Sequence, residues 1–424
     1  MSHFKKSFFI FLFLYFLPCQ LKAYTLKELI ELANKKHPLL QQLRFNVSSQ
    51  KEKFKASYDP YYPSLDFSLG YTNYIQSRLN PQLNDKNYYS GSITLSYTLF
   101  DQKRSSTKEI KRYTFLIEEN TYKSYEKDIT KLIKDLYYKI LVEKKKLSER
   151  KEALNAAKRS LDLAIAKKDV GIAKLSEVYQ ANVRYENAKL AVIESQNNLK
   201  KVLYELESII DIPLSENDIE GTIEPAYIPF SEQDIVNIAI ERREELQREK
   251  LVLKSIEEEK TITKAQFYPT AQAFVSYHRN DSSFVPPPSK EETRLELTIN
   301  WNLFSGMGKY HNIRATEYSS EAQKKKIEEL IRTIKLEVKK TYADFQTATE
   351  QIKVSEALVK SAKQNYEQAF EEYRIGKGDI LSLIQSEIDY ANAKDNYINS
   401  ILNQNLSKNL LERVIGITNF EDLK

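Results

Sequence analysis

The chain has 424 residues, with 64 Lys and Arg against 59 Asp and Glu, a formal net charge of +5, and few breakers at 9 Gly and 12 Pro. With charged residues at 29%, this composition favours long helices exposed to water, and the interleaving of Lys with Glu excludes the clustered basic footprint of a nucleic-acid binder. Such helices do not explain 28 Tyr, whereas an aromatic belt at a membrane interface does.

At the start of the chain, Lys5 and Lys6 precede an apolar run from Phe8 to Leu17, followed by a polar break and Leu21-Lys22-Ala23. This is the pattern of a secretory signal peptide spanning residues 1–23, because the run is far shorter than the roughly 20 residues a spanning helix needs. Removal of Lys5, Lys6 and Lys22 leaves a mature charge of about +2. Cys19, the single cysteine, lies in the discarded segment; acylation of Cys19 is the alternative fate, although Pro18 stands where a small residue is normally required. Past residue 23 no apolar stretch approaches membrane-helix length, so entry into a bilayer must be made by strands.

An internal duplication organises the remainder, with an offset of about 205 residues. Residues 57–71 match 263–277, with Tyr62-Pro63 over Tyr268-Pro269 and Tyr71 over Tyr277; the same frame places Ala33 over Ala239 and Leu40-Gln41 over Leu246-Gln247. Residues 171–189 match 376–394 without a gap, pairing Gly171 with Gly376, Gln180 with Gln385, Tyr185 with Tyr390 and Asn187-Ala188-Lys189 with Asn392-Ala393-Lys394. The frame extends through Ile193/Ile398, Leu206/Leu411 and Ile210/Ile415. The expected domains are a first repeat over 24–213, a linker over 214–230, a second repeat over 231–417 and a tail over 418–424.

Each repeat reads helix, strand, strand, very long helix, turn, long helix. Leu65, Phe67, Leu69 and Tyr71 alternate with polar or small residues, as do Ile93, Leu95, Tyr97 and Leu99, the period of a half-exposed strand. These predict strands over about 64–74 and 91–100. In the second repeat Leu295, Leu297, Ile299, Trp301 and Leu303 oppose Arg294, Glu296, Thr298, Asn300 and Asn302, predicting strands over about 270–278 and 293–304. The connectors 75–88 and 279–292, with Pro81 and Pro286-Pro287-Pro288, read as surface loops. From Arg104 to Lys168 there is neither Gly nor Pro, and these 65 residues would span roughly 100 Å as a helix. Leu132, Ile133, Leu136, Tyr137, Ile140 and Leu141 recur at three and four, a stripe suited to coiled-coil contact.

Four strands cannot close a transmembrane barrel, whose smallest form needs eight, and open sheet edges are not tolerated in hydrocarbon. Several copies must therefore share one barrel. Polar side chains would line a wet lumen, while Leu65, Phe67, Leu69, Tyr71, Ile93, Leu95, Tyr97, Tyr277, Leu295, Leu297, Ile299 and Trp301, with Phe100 and Phe304, would face lipid or form the girdles. A soluble coiled coil carrying a small β-sandwich is the alternative that alternation alone leaves open.

The duplicated layout, the Tyr-Pro before each first strand, the exits Leu99-Phe100-Asp101 and Leu303-Phe304-Ser305-Gly306, and the Gly-led turns followed by Gln and Asn-Ala-Lys resemble the TolC-like outer-membrane efflux proteins over nearly all of the mature chain. The resemblance implies a mainly α fold with a small β part. Three copies would share a 12-stranded β-barrel in the outer membrane and a 12-helix tube in the periplasm. It further implies an efflux or type I secretion duct working with a periplasmic adaptor and an inner-membrane pump. A non-pore envelope scaffold or adaptor is the alternative.

By the same resemblance the gate lies where the helices after Gly171 and Gly376 converge, with Asp379, Ser382, Gln385 and Glu387 as constriction residues. The family commonly carries aspartate within a Leu-Asp-Ala-Gln-like run. Here the run is Leu383-Ile384-Gln385-Ser386-Glu387, and Gln385 in that place argues against strong cation selectivity. Val170, Gly171, Leu175, Ile375, Gly376 and Ile380 are the expected adaptor-docking tips, and they also suit glycine C-caps with an apolar staple. Past the signal segment the histidines are only His37, His278 and His311, scattered among different segments, so no metal site, cofactor or catalytic triad is expected. His37, before Pro38, reads as a surface residue.

Overall fold

The computed structural model describes residues 24–76, 86–281 and 290–423. The expected signal segment, Cys19, and the parts of the connectors carrying Pro81 and Pro286-Pro287-Pro288 lie outside the described residues.

The first repeat comprises α1 (Leu26–Lys36), α2 (Pro38–Ala56), β1 (Ser64–Tyr74), β2 (Lys86–Phe100), α3 (Lys103–Asp169) and α4 (Leu175–Ile210). The second comprises α5 (Glu232–Arg242), α6 (Glu244–Ala265), β3 (Thr270–Asp281), β4 (Lys290–Asn300), α7 (Gly308–Arg374) and α8 (Ile380–Val414). The duplication reaches single hydrogen bonds. Gln41 Nε2 donates to the Lys35 carbonyl at 3.0 Å and Gln247 Nε2 to the Glu241 carbonyl at 2.6 Å, and Ala33, Leu40, Ala239 and Leu246 are all fully buried. Both α3 and α7 run for 67 residues. Each stops at a glycine with left-handed backbone, Gly171 at φ 78° and Gly376 at φ 79°, a conformation that removes the i to i−4 ladder at little steric cost only when Cβ is absent.

The sheet is antiparallel with order β1-β2-β3-β4. Four limits differ from the sequence expectation: β3 runs on to Asp281 and β4 begins at Lys290 because the two pair as far as Asn280 opposite Lys290, and two more have their own causes. β2 starts at Lys86 because its upper half pairs fully with β1, Tyr71 opposite Tyr89 and Asn73 opposite Asn87. β4 ends at Asn300 because no β3 residue lies opposite Trp301; its indole Nε1 instead donates to the Phe267 carbonyl at 3.0 Å. A bulge between Thr98 and Phe100 places Phe100 opposite Ala271.

The chain divides into two compact units, and α1, α3, α7 and α8 contribute residues to both. One holds the sheet, α2, α5 and α6, and its core gathers Ile235, Leu246, Val338, Leu411, Ile415 and Phe420. There Arg413 donates to Asp128, to Ser124 Oγ at 2.9 Å and to Glu245 at 3.1 Å. The other contains both hairpin turns, and its tip core joins Ala164, Ala181, Tyr373, Ile380 and Leu383. In the α3 stripe Ile133, Leu136, Tyr137, Ile140 and Leu141 are buried, whereas Leu132 is exposed because it falls just off the inward arc of the helix. His37 is half-buried rather than a surface residue, packed where α1 gives way to α2.

Candidate membrane face and channel end

The register sorts the sheet into two faces. On one, Leu65, Leu95, Val275 and Leu295 lie in a row, Phe67, Ile93 and Tyr277 form the next, and Tyr97, Ala273 and Leu297 another. This face is bare: Leu65, Phe67 and Leu69 are close to 70% exposed and Leu295 is 80% exposed. Tyr71 packs on Tyr89 at the far end of the row, with centroids 5.2 Å apart, and Ile299 and Trp301 complete the β4 side. On the other face, Ser64 and Ser96 share a hydrogen bond of 2.7 Å and Ser68 and Ser92 one of 2.8 Å. Asp66, Ser276 and Arg294 lie on that same face, where Arg294 pairs with Glu292 at 3.0 Å. A large apolar surface left uncovered on a folded chain marks a partner or a lipid phase. The outer edges of β1 and β4 carry no paired strand among the described residues.

The turn unit gathers the other candidates. Val170, Gly171, Leu175, Ile375 and Gly376 are exposed, together with Ile172 and Leu381, two apolar tip residues that the sequence pattern does not single out. Ile380 is not presented with them: at 3% exposed it sits inside the tip core. Tyr373 anchors that core. Its hydroxyl donates to Glu177 at 3.3 Å and its ring lies 4.2 Å from Lys167 Nζ, and burial, with Glu177 beside it, pushes the phenol up to about 12.

Along α8 the constriction candidates separate by helical phase. Asp379 is the N-cap, accepting from the backbone N–H of Leu381 at 2.9 Å and of Ser382 at 3.0 Å and from Ser382 Oγ at 2.7 Å. These bonds, the Ser382 hydroxyl first, hold its carboxyl below the usual carboxylate range. Gln385 is exposed on the same face, and its Nε2 donates to Asp389 Oδ1 at 2.9 Å. Asp389 is absent from the residues expected on sequence, although its spacing of four from Gln385 is the signal that points to it.

Glu387 must be removed from this group. It is 5% exposed, accepts from Ser160 Oγ of α3 at 2.5 Å and pairs with Arg184 of α4 at 3.3 Å. Residues two apart on a helix point about 200° away from each other, so Glu387 turns inward where Gln385 turns outward. Burial raises its carboxyl above the usual range even against Ser160 and Arg184. Beside it a cavity of about 180 Å³ is floored by Ala153, Ala156 and Ala391 and bordered by stacked Tyr366 and Tyr390. On its rim Lys394 bonds to Glu149 and Glu152; burial works against its charge, but the two carboxylates hold the ammonium well above the ordinary lysine value.

Among the described residues no group of His, Cys, Asp and Glu is arranged to hold a metal ion, and no helix is long and apolar enough to cross a membrane.

In overall fold the chain is similar to several solved structures. CusC matches with a TM-score of 0.81 and 15% identity, covering 92% of each chain. VceC from Vibrio cholerae matches with a TM-score of 0.79 and 15% identity over 92% of this chain and 96% of that one. The CmeC outer membrane channel of Campylobacter jejuni gives 0.78 and 17% over 92% and 85%. No curated protein sequence is significantly similar to the chain. Residues 29–210 and 235–417 each match the family model described as "Outer membrane efflux protein". These two matches take in both repeats and leave out little but the linker and the termini, so the chain belongs to the outer membrane efflux protein family.

Proposed function

We propose that three copies of this chain form one export duct, closing a 12-stranded barrel in the outer membrane and continuing as a helical tube in the periplasm. The observation that carries this reading is the sheet: four strands, one face bare and apolar, the other hydroxyl-rich, and both edges without a partner among the described residues. Antiparallel pairing of β1 with β4 of a neighbouring copy would satisfy the edges, turn the leucine face to lipid and enclose the serine face as a wet lumen. The duct is passive, and its cargo comes from an inner-membrane pump through a periplasmic adaptor. The tips at Val170, Gly171, Ile172, Leu175, Ile375, Gly376 and Leu381 are the docking surface in this reading, and Asp379, Ser382 and Gln385, extended by Asp389, line the constriction.

The test is made on the mature protein extracted in detergent. A heat-modifiable oligomer on a gel and discrete ion conductance in planar bilayers are expected. A water-soluble monomer without conductance would refute the duct and favour an envelope scaffold. For docking, cross-links from Lys174 or Lys377 to a co-expressed adaptor are expected, and their absence in a working pump would refute it.

A further inference from the structure

Each repeat closes its strand pair with a cation laid over an aromatic ring, and the two constructions occupy matching positions. Arg104 Cζ lies 4.4 Å from the centroid of the Tyr61 ring, and Lys309 Nζ lies 5.4 Å from that of Phe267. In the frame of the duplication Arg104 corresponds to Lys309 and Tyr61 to Phe267. Lys108 adds a second ammonium, 5.4 Å from Tyr58 and 5.8 Å from Tyr61.

These cations are only partly engaged. Arg104 Nη1 donates to the carbonyls of Pro60 and Thr98, each at 3.0 Å, and Lys309 Nζ donates to the Asn302 carbonyl at 2.7 Å and to its Oδ1 at 3.0 Å. A guanidinium has five N–H groups and an ammonium three, so each retains donors beyond these contacts, and neither ion-pairs with a carboxylate among the described residues. They also stand where the bare apolar face ends. Ile299 is the last β4 residue on that face, Trp301 reaches back to Phe267, and Phe304 is 82% exposed; Tyr62 and Phe100 in the first repeat and Tyr268 in the second are exposed at the same margin. An aromatic belt alone needs no cations. Lys108 also lies 3.8 Å from a Glu109 carboxylate oxygen, whereas Arg104 and Lys309, fixed on the rings without an acid partner among the described residues and bordering an apolar band, match the depth at which phospholipid phosphates lie, and an arginine fork complements a phosphate geometrically.

We infer that this collar binds the headgroup phosphates of anionic phospholipids in the leaflet nearer the long helices, through Arg104 and Lys309 with Lys108 in support. The inference rests on the outer-membrane reading, and the experiment separates the two. The oligomer is reconstituted in nanodiscs of phosphatidylcholine alone and of phosphatidylcholine mixed equally with phosphatidylglycerol, and lipids retained on release are counted by native mass spectrometry. Retention of phosphatidylglycerol over phosphatidylcholine by about fivefold is expected. The Arg104→Gln/Lys309→Gln protein should lose that excess while Arg104→Lys/Lys309→Arg keeps it, and millimolar inorganic phosphate should not displace the lipid. Equal retention of the two lipids by the wild type overturns the inference without need of any variant, as does an excess that survives in the Gln variant or displacement by phosphate alone. Failure to enter pure phosphatidylcholine discs would instead strike the membrane reading itself.

Discussion

Arg104 ties three segments together: its guanidinium covers the Tyr61 ring while Nη1 bonds to the carbonyls of Pro60, before β1, and Thr98, near the end of β2. Removing the donor shared by these two carbonyls, of which the Thr98 contact is part-buried and the Pro60 contact exposed, costs more than an ordinary surface change. Arg104→Ala should therefore destabilise the protein by about 1–2 kcal/mol, with Arg104→Lys intermediate, in urea unfolding followed by Tyr and Trp fluorescence. Equal stability of the three proteins would show that the contact contributes nothing.

Gln385 carries the prediction for conduction. Aspartate there would add one carboxylate per copy on the face already bearing Asp379 and Asp389. Single-channel recordings of Gln385→Asp should show cation over anion permeability raised by about twofold or more. Unchanged conductance together with unchanged preference would remove Gln385 from the constriction.

For Glu387 the sign of the pH dependence follows from its burial. Its carboxyl is raised in the folded protein, so the folded state holds the proton more tightly than the unfolded chain. The group's stabilising contribution is full below the ordinary glutamate value of about 4.3 and is lost as pH rises through the folded value. The stability of wild type minus that of Glu387→Gln should fall from about pH 4 towards neutrality. A difference that rises with pH would mean that the Arg184 pair outweighs burial. Glu149 and Glu245 act oppositely: burial alone would raise them, but Lys394 for the first, and its own backbone amide with Arg413 for the second, lower them. Their contributions are lost as pH falls, which is why the variant difference, rather than the raw profile, isolates Glu387.

Asp211 and Gly416 occupy equivalent helix ends and both have left-handed backbone, at φ 53° and 76°. Asp211 is exposed and tolerates glycine, so Asp211→Gly should lie within about 0.5 kcal/mol of wild type. At Gly416 an added Cβ would meet the Arg242 carbonyl oxygen and Arg243 Cα at 3.0 Å. Gly416→Ala should destabilise by about 1–3 kcal/mol, because backbone strain and a close approach act together. Thermal unfolding of the two variants, compared side by side, measures the asymmetry; equal effects would contradict it.

Periodicity makes most of the fold legible in the amino-acid sequence. Leu65, Phe67 and Leu69 show their common face at period two, and Gly171, like Gly376 with Gly378 beside it, interrupts a long stretch otherwise without breakers, so strand faces and hairpin turns follow from spacing alone. The end of β4 does not, because Trp301 continues the alternation after its backbone has left the ladder, a choice made by the Phe267 carbonyl across the junction. Glu387 and Ile380 depart from expectation for a different reason. Closeness along the chain groups them with their neighbours, whereas on a helix the angle decides, and 382, 385 and 389 share a side that 387 does not. The partners Ser160 and Arg184 lie more than two hundred residues from Glu387, and no local pattern in the sequence announces that contact.

The margins of β1 and β4, unpaired among the described residues, also bear on how the molecule matures. If the proposed barrel closes only between copies, a sheet left open at both margins finishes folding in company, and encounter between subunits then belongs to the folding reaction itself. The rate at which active protein accumulates should then depend on how much of it is being made, and a cell producing too little would hold subunits still waiting for their neighbours.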